Sequence, residues 1–465
     1  RALVVGAGVA GLQAARALQA RAGADVVIAE KAGAVGGVWR ENYAGWAAQV
    51  PRLQYHLPEL GVDKSALDWY PTGEQLGAHC RDFVDAFGLR PSLRLGCDVT
   101  QLRRLEGGRW RATIRRAGNT AAEQRHANGS VEEDFDWVVV ATGNFSRTRV
   151  PEVPGAEDFE GRRLHSSELL DVSALRGRRV VVVGGGKSAL DIFASATAHA
   201  KAVALVVRAP GWVLPRRFLG LPLRYLAATR WFAWLVLPPY YTTGLLGRML
   251  GVLAFVVQSL LWLMLAPLLW LHFRMPRAMW PTTNLRWQLW HGHSVAICDP
   301  KGLRAAFEQP CATPIRGHIL RFERRGLVVQ DALAGKPREV PADTVVFATG
   351  YRESWSQLFD DATRRILDPA GEGPELYRQI LPLADLPGLA FVGRVLSTAD
   401  IVAAFVQAEW LAAIVSGAME PPLPLARRSV FTRHRVWRRQ FRPCLPSTYV
   451  ATPRLFDYLD ELVAD

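Results

Sequence analysis

Two short unbroken apolar runs flank a helical stretch in the first thirty residues. Leu3-Val4-Val5 is followed by an Ala- and Leu-rich segment to Ala22, and then by Val26-Val27-Ile28-Ala29. Runs without polar alternation predict strands buried on both faces, as in a parallel sheet, and the segment between them predicts a helix. The same order returns later. Arg179 leads four valines to Val183, a helix is expected to open near Ser188, and Ala202–Val207 is the next apolar run. Two further runs, 137–140 after Asp136 and 344–347 after Asp343, each end in Ala-Thr-Gly. Strands alternating with helices predict an α/β fold.

The strand-to-helix connections carry the candidate chemistry. The first is Gly6-Ala7-Gly8-Val9-Ala10-Gly11. Gly6 is expected to make the tight turn, Gly8 to let a pyrophosphate reach the backbone, and Gly11 to let helix and strand pack closely. The helix N-terminus then presents unpaired N–H groups to the phosphates. The second strand ends at Glu30, whose carboxylate is expected to accept the adenosine ribose hydroxyls, with Lys31 next to it. A second turn, Gly184-Gly185-Gly186-Lys187-Ser188-Ala189, has Ala in the third glycine position. Its following strand ends in Arg208 rather than an acid, and an arginine fork suits a 2′-phosphate. The plain alternative is a solvated arginine. Lys187 either touches a phosphate or faces solvent.

Two dinucleotide turns in one chain point to FAD at the first and NADPH at the second. The Ala-Thr-Gly strands, with Thr142 and Gly143 in one and Thr349, Gly350 and Tyr351 in the other, are expected to carry the chain between domains. The expected organisation is two Rossmann-like domains: an FAD domain over 1–150 and 331–465, and a nested NADPH domain over 151–330. Pro151 and Pro154-Gly155 mark the first crossing.

Composition adds three constraints. The 465 residues are too many for a single core, and 49 % apolar content excludes disorder. Five cysteines (80, 97, 298, 311, 444) form no C-x-x-C, so neither a disulfide framework nor a metal site is expected. The net charge of +13 comes from arginine, since only six of the 56 basic residues are lysine. That balance fits a phosphorylated cofactor or anionic lipid, and no basic repeat or finger motif supports nucleic acid.

Residues 218–276 stand apart. The runs 231–247 and 249–273 hold no charge and are rich in Leu, Trp, Val and Phe. Pro238-Pro239 and Pro267 are expected to break any single straight helix. If helical, the 25 residues of the second run would span roughly 37 Å, against about 30 Å of hydrocarbon. Three readings stand: a membrane-surface patch or hairpin, a buried lid over a substrate tunnel, and a true span. The span is disfavoured because both flanks belong to one domain. The first reading implies a monotopic or peripheral protein on the cytosolic side, and the second a cytoplasmic one.

With these motifs in view, the chain resembles the class B flavin-dependent monooxygenases, most closely the flavin-containing monooxygenases, from Gly6 to about Leu462. Gly36-Gly37-Val38-Trp39 matches the glycine pair and tryptophan after the ribose acid. Phe159-x-Gly161-x-x-x-His165 matches the linker fingerprint, Phe347-Ala348-Thr349-Gly350-Tyr351 matches F-A-T-G-Y, and Gln407-Ala408-Glu409-Trp410 resembles the Q-A-R-W helix. Two positions depart. Leu169 stands where the linker pattern has an aromatic residue. Gln49, in Gly45-Trp46-Ala47-Ala48-Gln49, stands where the family carries an asparagine at the flavin–substrate face.

The resemblance implies a C4a-hydroperoxyflavin, formed from NADPH-reduced FAD and oxygen, that oxygenates a soft sulfur or nitrogen centre of a small substrate. Baeyer–Villiger oxygenation of a ketone and oxidative decarboxylation of a 2-oxo acid are the alternatives. It further implies that Gln49 serves the oxygen adduct; the bland alternative is a supporting or surface amide. The flavin carries the hard chemistry, so no triad is needed. His165 reads as a linker group, and His56, His79 and His318 as structural or exposed. A disulfide reductase shares both nucleotide domains but needs a redox cysteine pair, and residues 31–50 contain no cysteine. A non-catalytic membrane-bound nucleotide sensor is the remaining reading.

Overall fold

The computed structural model describes residues 1–40, 42–46, 48–61, 67–116, 129–218, 221–222, 230, 244–283, 296–298, 300–397, 399–441, 451–452 and 455–465. In chain order its main elements are β1 (Ala2–Val5), α1 (Val9–Ala22), β2 (Val26–Glu30), α2 (Gly73–Ala86), β3 (Leu93–Leu95), β4 (Cys97–Arg104), β5 (Trp110–Arg116), β6 (Ser130–Phe135) and β7 (Trp137–Val140). Next come β8 (Arg162–His165), β9 (Arg179–Val183), α3 (Lys187–Ala196), β10 (Ala202–Val207), α4 (Gly244–Phe273) and α5 (Pro300–Glu308). Strands β11 (Ala312–Glu323), β12 (Gly326–Asp331), β13 (Lys336–Pro341), β14 (Thr344–Phe347) and β15 (Leu389–Phe391) follow. Helices α6 (Asp400–Val415), α7 (Pro424–Phe441) and α8 (Leu455–Ala464) complete the series.

The chain forms two compact units. The first comprises 1–40, 51–147 and 352–465, and the second 41–50 and 148–351. Strands 336–341 and 344–347 therefore belong to the second unit, which runs to Tyr351 rather than to the expected 330. The reason lies in the pairing: β12 and β13 extend the second sheet as an antiparallel hairpin, and β14 lies beside β9. Segment 41–50, expected in the FAD domain, also belongs to the second unit.

In the first unit a parallel sheet runs in the order β15–β7–β1–β2–β3. Alternate residues of β1 face opposite layers. Ala2 and Val4 pack with α1 and α6, while Leu3 and Val5 pack with Val99, Trp110, Ala112 and Phe135 of the antiparallel sheet β4–β5–β6. Both faces are covered, which is why the strands read as unbroken apolar runs. The second unit repeats the plan in the order β13–β12–β11–β10–β9–β14–β8. Val180 and Val182 face Leu190 and Phe193 of α3 and Leu303 of α5, and Val181 faces Phe322, Leu327 and Val329.

Helix α4 is continuous over 30 residues with Pro267 inside it, against the expectation that this proline breaks the helix. A proline forfeits one ladder bond and crowds one carbonyl, and the remaining turns of so long a helix hold it. Pro238-Pro239 and most of the first uncharged run lie outside the described residues.

Candidate functional site: two glycine turns

The first turn leaves β1 at Gly6, whose φ is +106°, a left-handed value that favours glycine. A methyl there would lie 2.7 Å from the carbonyl oxygen of Ala141, the alanine of the first Ala-Thr-Gly. A methyl on Gly11 would lie 1.9 Å from the Gly6 carbonyl oxygen, so the helix and turn are in backbone contact. Gly8 caps α1 with no side-chain hydrogen bond, and the nearest atom to an added methyl is the Gly37 Cα at 4.0 Å. No side chain therefore caps the opening N–H groups of α1.

Glu30 closes β2 with its carboxylate buried. Oε2 accepts from the Ala7 N–H at 2.7 Å and Oε1 from the Ala32 N–H at 2.8 Å. A carboxylate has lone pairs to spare beyond these two, so the ribose role is compatible with this geometry. Lys31 is exposed. Gly37 and Val38 lie in the short helical turn that ends in Trp39, and Trp39 meets the Tyr55 ring edge-on at 5.5 Å. Thr142 and Gly143 follow β7 after Ala141, and Thr142 lies beside the Gly6 turn.

The second turn repeats this construction. Gly184 has φ +139°, and a methyl on it would lie 2.3 Å from the Ala348 carbonyl oxygen, the alanine of the second Ala-Thr-Gly. Here Ala189 occupies the third position and is fully buried, so this helix sits where a methyl fits. Gly186 caps α3 without a side-chain bond and with open space beside it. Lys187 and Ser188 lie in the first turn of α3. Lys187 is largely withdrawn from solvent. Its ammonium pairs with Asp191 one turn along, and the Tyr43 hydroxyl donates to the same carboxylate at 2.8 Å. Arg208 follows β10 in an exposed position.

The linker fingerprint folds within the second unit. His165 ends β8, is buried, and is held by the Ser167 hydroxyl at 2.9 Å and the Gly350 carbonyl at 3.1 Å. The Gly350 carbonyl also accepts the Arg149 N–H at 2.9 Å, and the Thr349 hydroxyl donates to the Arg149 carbonyl. The Tyr351 ring stands edge-on to His165 at 4.9 Å. Burial holds the His165 imidazole below its usual value, consistent with a neutral structural group. Leu169, at the departing position, is buried, and its carbonyl accepts the Ala44 N–H at 2.7 Å, which ties segment 41–50 to this unit. Gln49 is half-buried in that segment.

His79 is buried and His318 exposed. No metal-binding cluster occurs among the described residues. Cys80 is buried, which pushes its thiol up to about 12 and leaves it inert.

Residues 1–219 match a family model described as pyridine nucleotide-disulphide oxidoreductase. The chain is 35 % identical over 221 residues to a Baeyer-Villiger monooxygenase of Streptomyces coelicolor, covering 46 % of this chain and 39 % of that protein. It is 32 % identical over 222 residues to the indole-3-pyruvate monooxygenase YUCCA1 of Oryza sativa subsp. japonica, covering 47 % and 50 %. The chain thus spans half or less of the length of these curated relatives. Among solved structures, cyclohexanone monooxygenase from Rhodococcus sp. Phi1 bound to NADP+ superposes with a TM-score of 0.72 at 19 % identity, over 100 % of this chain and 96 % of that one. That likeness is one of fold. Sequence kinship over the first half and fold over the whole length together bear out the resemblance to the class B flavin-dependent monooxygenases.

Proposed function

We propose that the chain binds FAD at the Gly6 turn and NADPH at the Gly184 turn, and acts as a monooxygenase on a soft sulfur or nitrogen centre of a small organic substrate. The observation that carries this reading is the doubled device: two uncapped helix N-termini, each behind a glycine pressed on the carbonyl of its own Ala-Thr-Gly alanine. Both turns fit a dinucleotide, because Gly8 and Gly186 leave room for a pyrophosphate where any side chain would stand. The flavin, reduced by NADPH, supplies the activation of dioxygen. The chain's residues hold, orient and shield. Gly8 and the first turn of α1 bind the FAD pyrophosphate, and Glu30 the ribose. Gly186 and α3 bind that of NADPH, and Arg208 takes the 2′-phosphate. Gln49 donates a hydrogen bond to the reacting oxygen.

The test is flavin content, followed by NADPH and oxygen consumption with product analysis across sulfides, amines, ketones and 2-oxo acids. Heteroatom oxidation supports the reading; a chain that cannot be loaded with FAD overturns it. Ketone-to-ester conversion without heteroatom oxidation would establish a second reading, which the name of the Streptomyces relative favours. Oxygenation of a 2-oxo acid such as indole-3-pyruvate would align the chain with the plant relative instead.

We further propose that residues 218–276 rest on a membrane surface from the cytosolic side. The support is the apolar outward face of α4. Phe255, Leu260, Leu263, Met264, Leu268 and Leu271 are exposed, while Gln258, Trp262, Leu269 and Phe273 are buried. Surface helices of water-soluble proteins turn polar residues outward instead. Residues 255–273 are also long and apolar enough to cross a membrane.

A further inference from the structure

The Q-A-x-W motif of α6 has no part in the reading above, yet its glutamine sits at the centre of a buried network. Gln407 is fully buried, and its amide is divided between two partners. Its Oε1 accepts the Gly393 N–H at 2.9 Å, and its Nε2 donates to the Tyr458 hydroxyl at 2.7 Å. Tyr458, in α8, donates in turn to the Arg378 carbonyl at 2.6 Å. The Arg378 guanidinium is held by Asp465 at 2.8 and 2.9 Å and by Glu461 of α8.

At the other end of this chain of bonds, Gly393 lies just beyond β15 with φ +82°. A methyl on it would lie 2.4 Å from the Ala10 Cβ, so its backbone is pressed on the first turn of α1. The Gly393 carbonyl accepts the Asn144 Nδ2 at 3.3 Å, and Asn144 directly follows the first Ala-Thr-Gly. One peptide group is thus gripped from both sides, by α6 through its N–H and by the residue after Gly143 through its carbonyl. It touches the helix whose N-terminus the pyrophosphate needs. The Asn144 Oδ1 is buried and has no hydrogen-bond partner among the described residues, which leaves an acceptor unused beside the cradle.

We infer that Gln407 is a positioning residue for the FAD cradle, which couples the docking of α8 to the geometry of the Gly6 turn through Gly393. The inference rests on the reading that FAD binds at this turn. If the network sets the cradle, breaking it loosens the flavin more than it loosens the fold. Gln407→Leu removes both bonds at nearly constant volume and leaves the Gly393 N–H and the Tyr458 hydroxyl without it. We expect about ten-fold weaker FAD binding by the FAD-free protein, the size of one buried hydrogen bond. Tyr458→Phe removes one hydroxyl and should weaken FAD about three-fold, the lower end of that range.

The experiment is titration of FAD-free protein with FAD, read by quenching of flavin fluorescence, alongside thermal melting of the FAD-free protein. Weaker FAD binding in Gln407→Leu, with a smaller loss in the same direction in Tyr458→Phe, supports the inference. Lowered melting in Gln407→Leu with unchanged FAD affinity overturns it, because the network would then serve stability alone. Should Gln407→Leu fail to fold, Tyr458→Phe decides by the same two readouts. Failure of the wild-type chain to take up FAD is a separate result: it removes the reading beneath the inference.

Discussion

At the level of single residues, the proposed contact with the NADPH 2′-phosphate turns on Arg208. It follows β10 in an exposed position, where an acid would read a ribose hydroxyl. Arg208→Ala is expected to cost NADPH about ten- to a hundred-fold in affinity, as for a lost charge-assisted hydrogen bond, and to leave NADH nearly unchanged. Equal losses for both cofactors would show that Arg208 does not read the phosphate. Gln49→Leu should spare flavin reduction yet raise hydrogen peroxide release at the expense of product; unchanged coupling would place Gln49 outside the site. A third residue bears on stability. Burial, with a smaller contribution from His56, holds His79 down to about 4, and its Nε2 accepts the Leu57 N–H at 3.2 Å. The unfolded chain binds this proton near pH 6.5, so between 6.5 and 4 the unfolded state holds more protons than the folded one. His79 thus contributes fully above pH 6.5, and its contribution falls with pH by up to about 3 kcal/mol. His79→Gln should flatten that part of the denaturant-unfolding profile. An equally steep decline in the variant would assign the slope to other groups.

Elements explain what the two turns share and where they differ. Gly11 and Ala189 occupy equivalent places, yet only the first is closed to a methyl, which would lie 1.9 Å from the Gly6 carbonyl oxygen. Gly11→Ala is therefore expected to destabilise by about 3 kcal/mol, the upper end of overpacking costs. Gly186→Ala meets open space at an ordinary φ of −86°. Its stability should stay within about 1 kcal/mol of wild type while NADPH binding weakens, because the methyl stands where a pyrophosphate approaches. Chemical denaturation and NADPH titration separate the two outcomes. The strands, both turns and the acid at Glu30 were legible because they depend on local pattern: unbroken apolar runs, glycine spacing and the residue at a strand end. What was not legible depends on distant partners. Nothing in the neighbourhood of Lys187 announces Tyr43, which meets the same Asp191 carboxylate from 148 positions away. Gln407, Gly393 and Asn144 converge only in the folded chain. Pro267 is tolerated inside α4 because the rest of a 30-residue helix absorbs a proline's local cost.

On the scale of the whole chain, the nested order of two units follows from the paired Ala-Thr-Gly strands: the chain leaves the first unit after β7 and returns to it after β14. The boundary at 351, not 330, is set by the pairing of β14 with β9, which turn chemistry alone did not reveal. The remaining question at this scale is what meets α4. Leu263 and Leu271 are 72 % and 73 % exposed, on a helix without charge from 249 to 273. An outward face of that size marks an interface, and lipid is the partner that asks for no polar group on it. Trp270 and Trp280 meet near the end of the helix with ring centroids 4.1 Å apart and planes tilted by 52°, each 38 % exposed, as suits rings at the headgroup level. Exposed Arg217, Arg230, Arg274 and Arg277 flank the apolar segment, and each that reaches an anionic headgroup adds about 1 kcal/mol. Phe273 and Met279 pack in the same core as α3, so the end of α4 is fixed to a folded unit rather than leading away from it. Surface binding is the expected outcome. Liposomes containing phosphatidylserine should float the intact protein, and a variant with 218–276 replaced by a short Gly/Ser linker should remain at the bottom of the gradient. High salt should weaken flotation without abolishing it, since the apolar part of the contact is not screened. An intact protein that stays monodisperse without detergent and ignores the liposomes would make the segment a lid over a substrate tunnel.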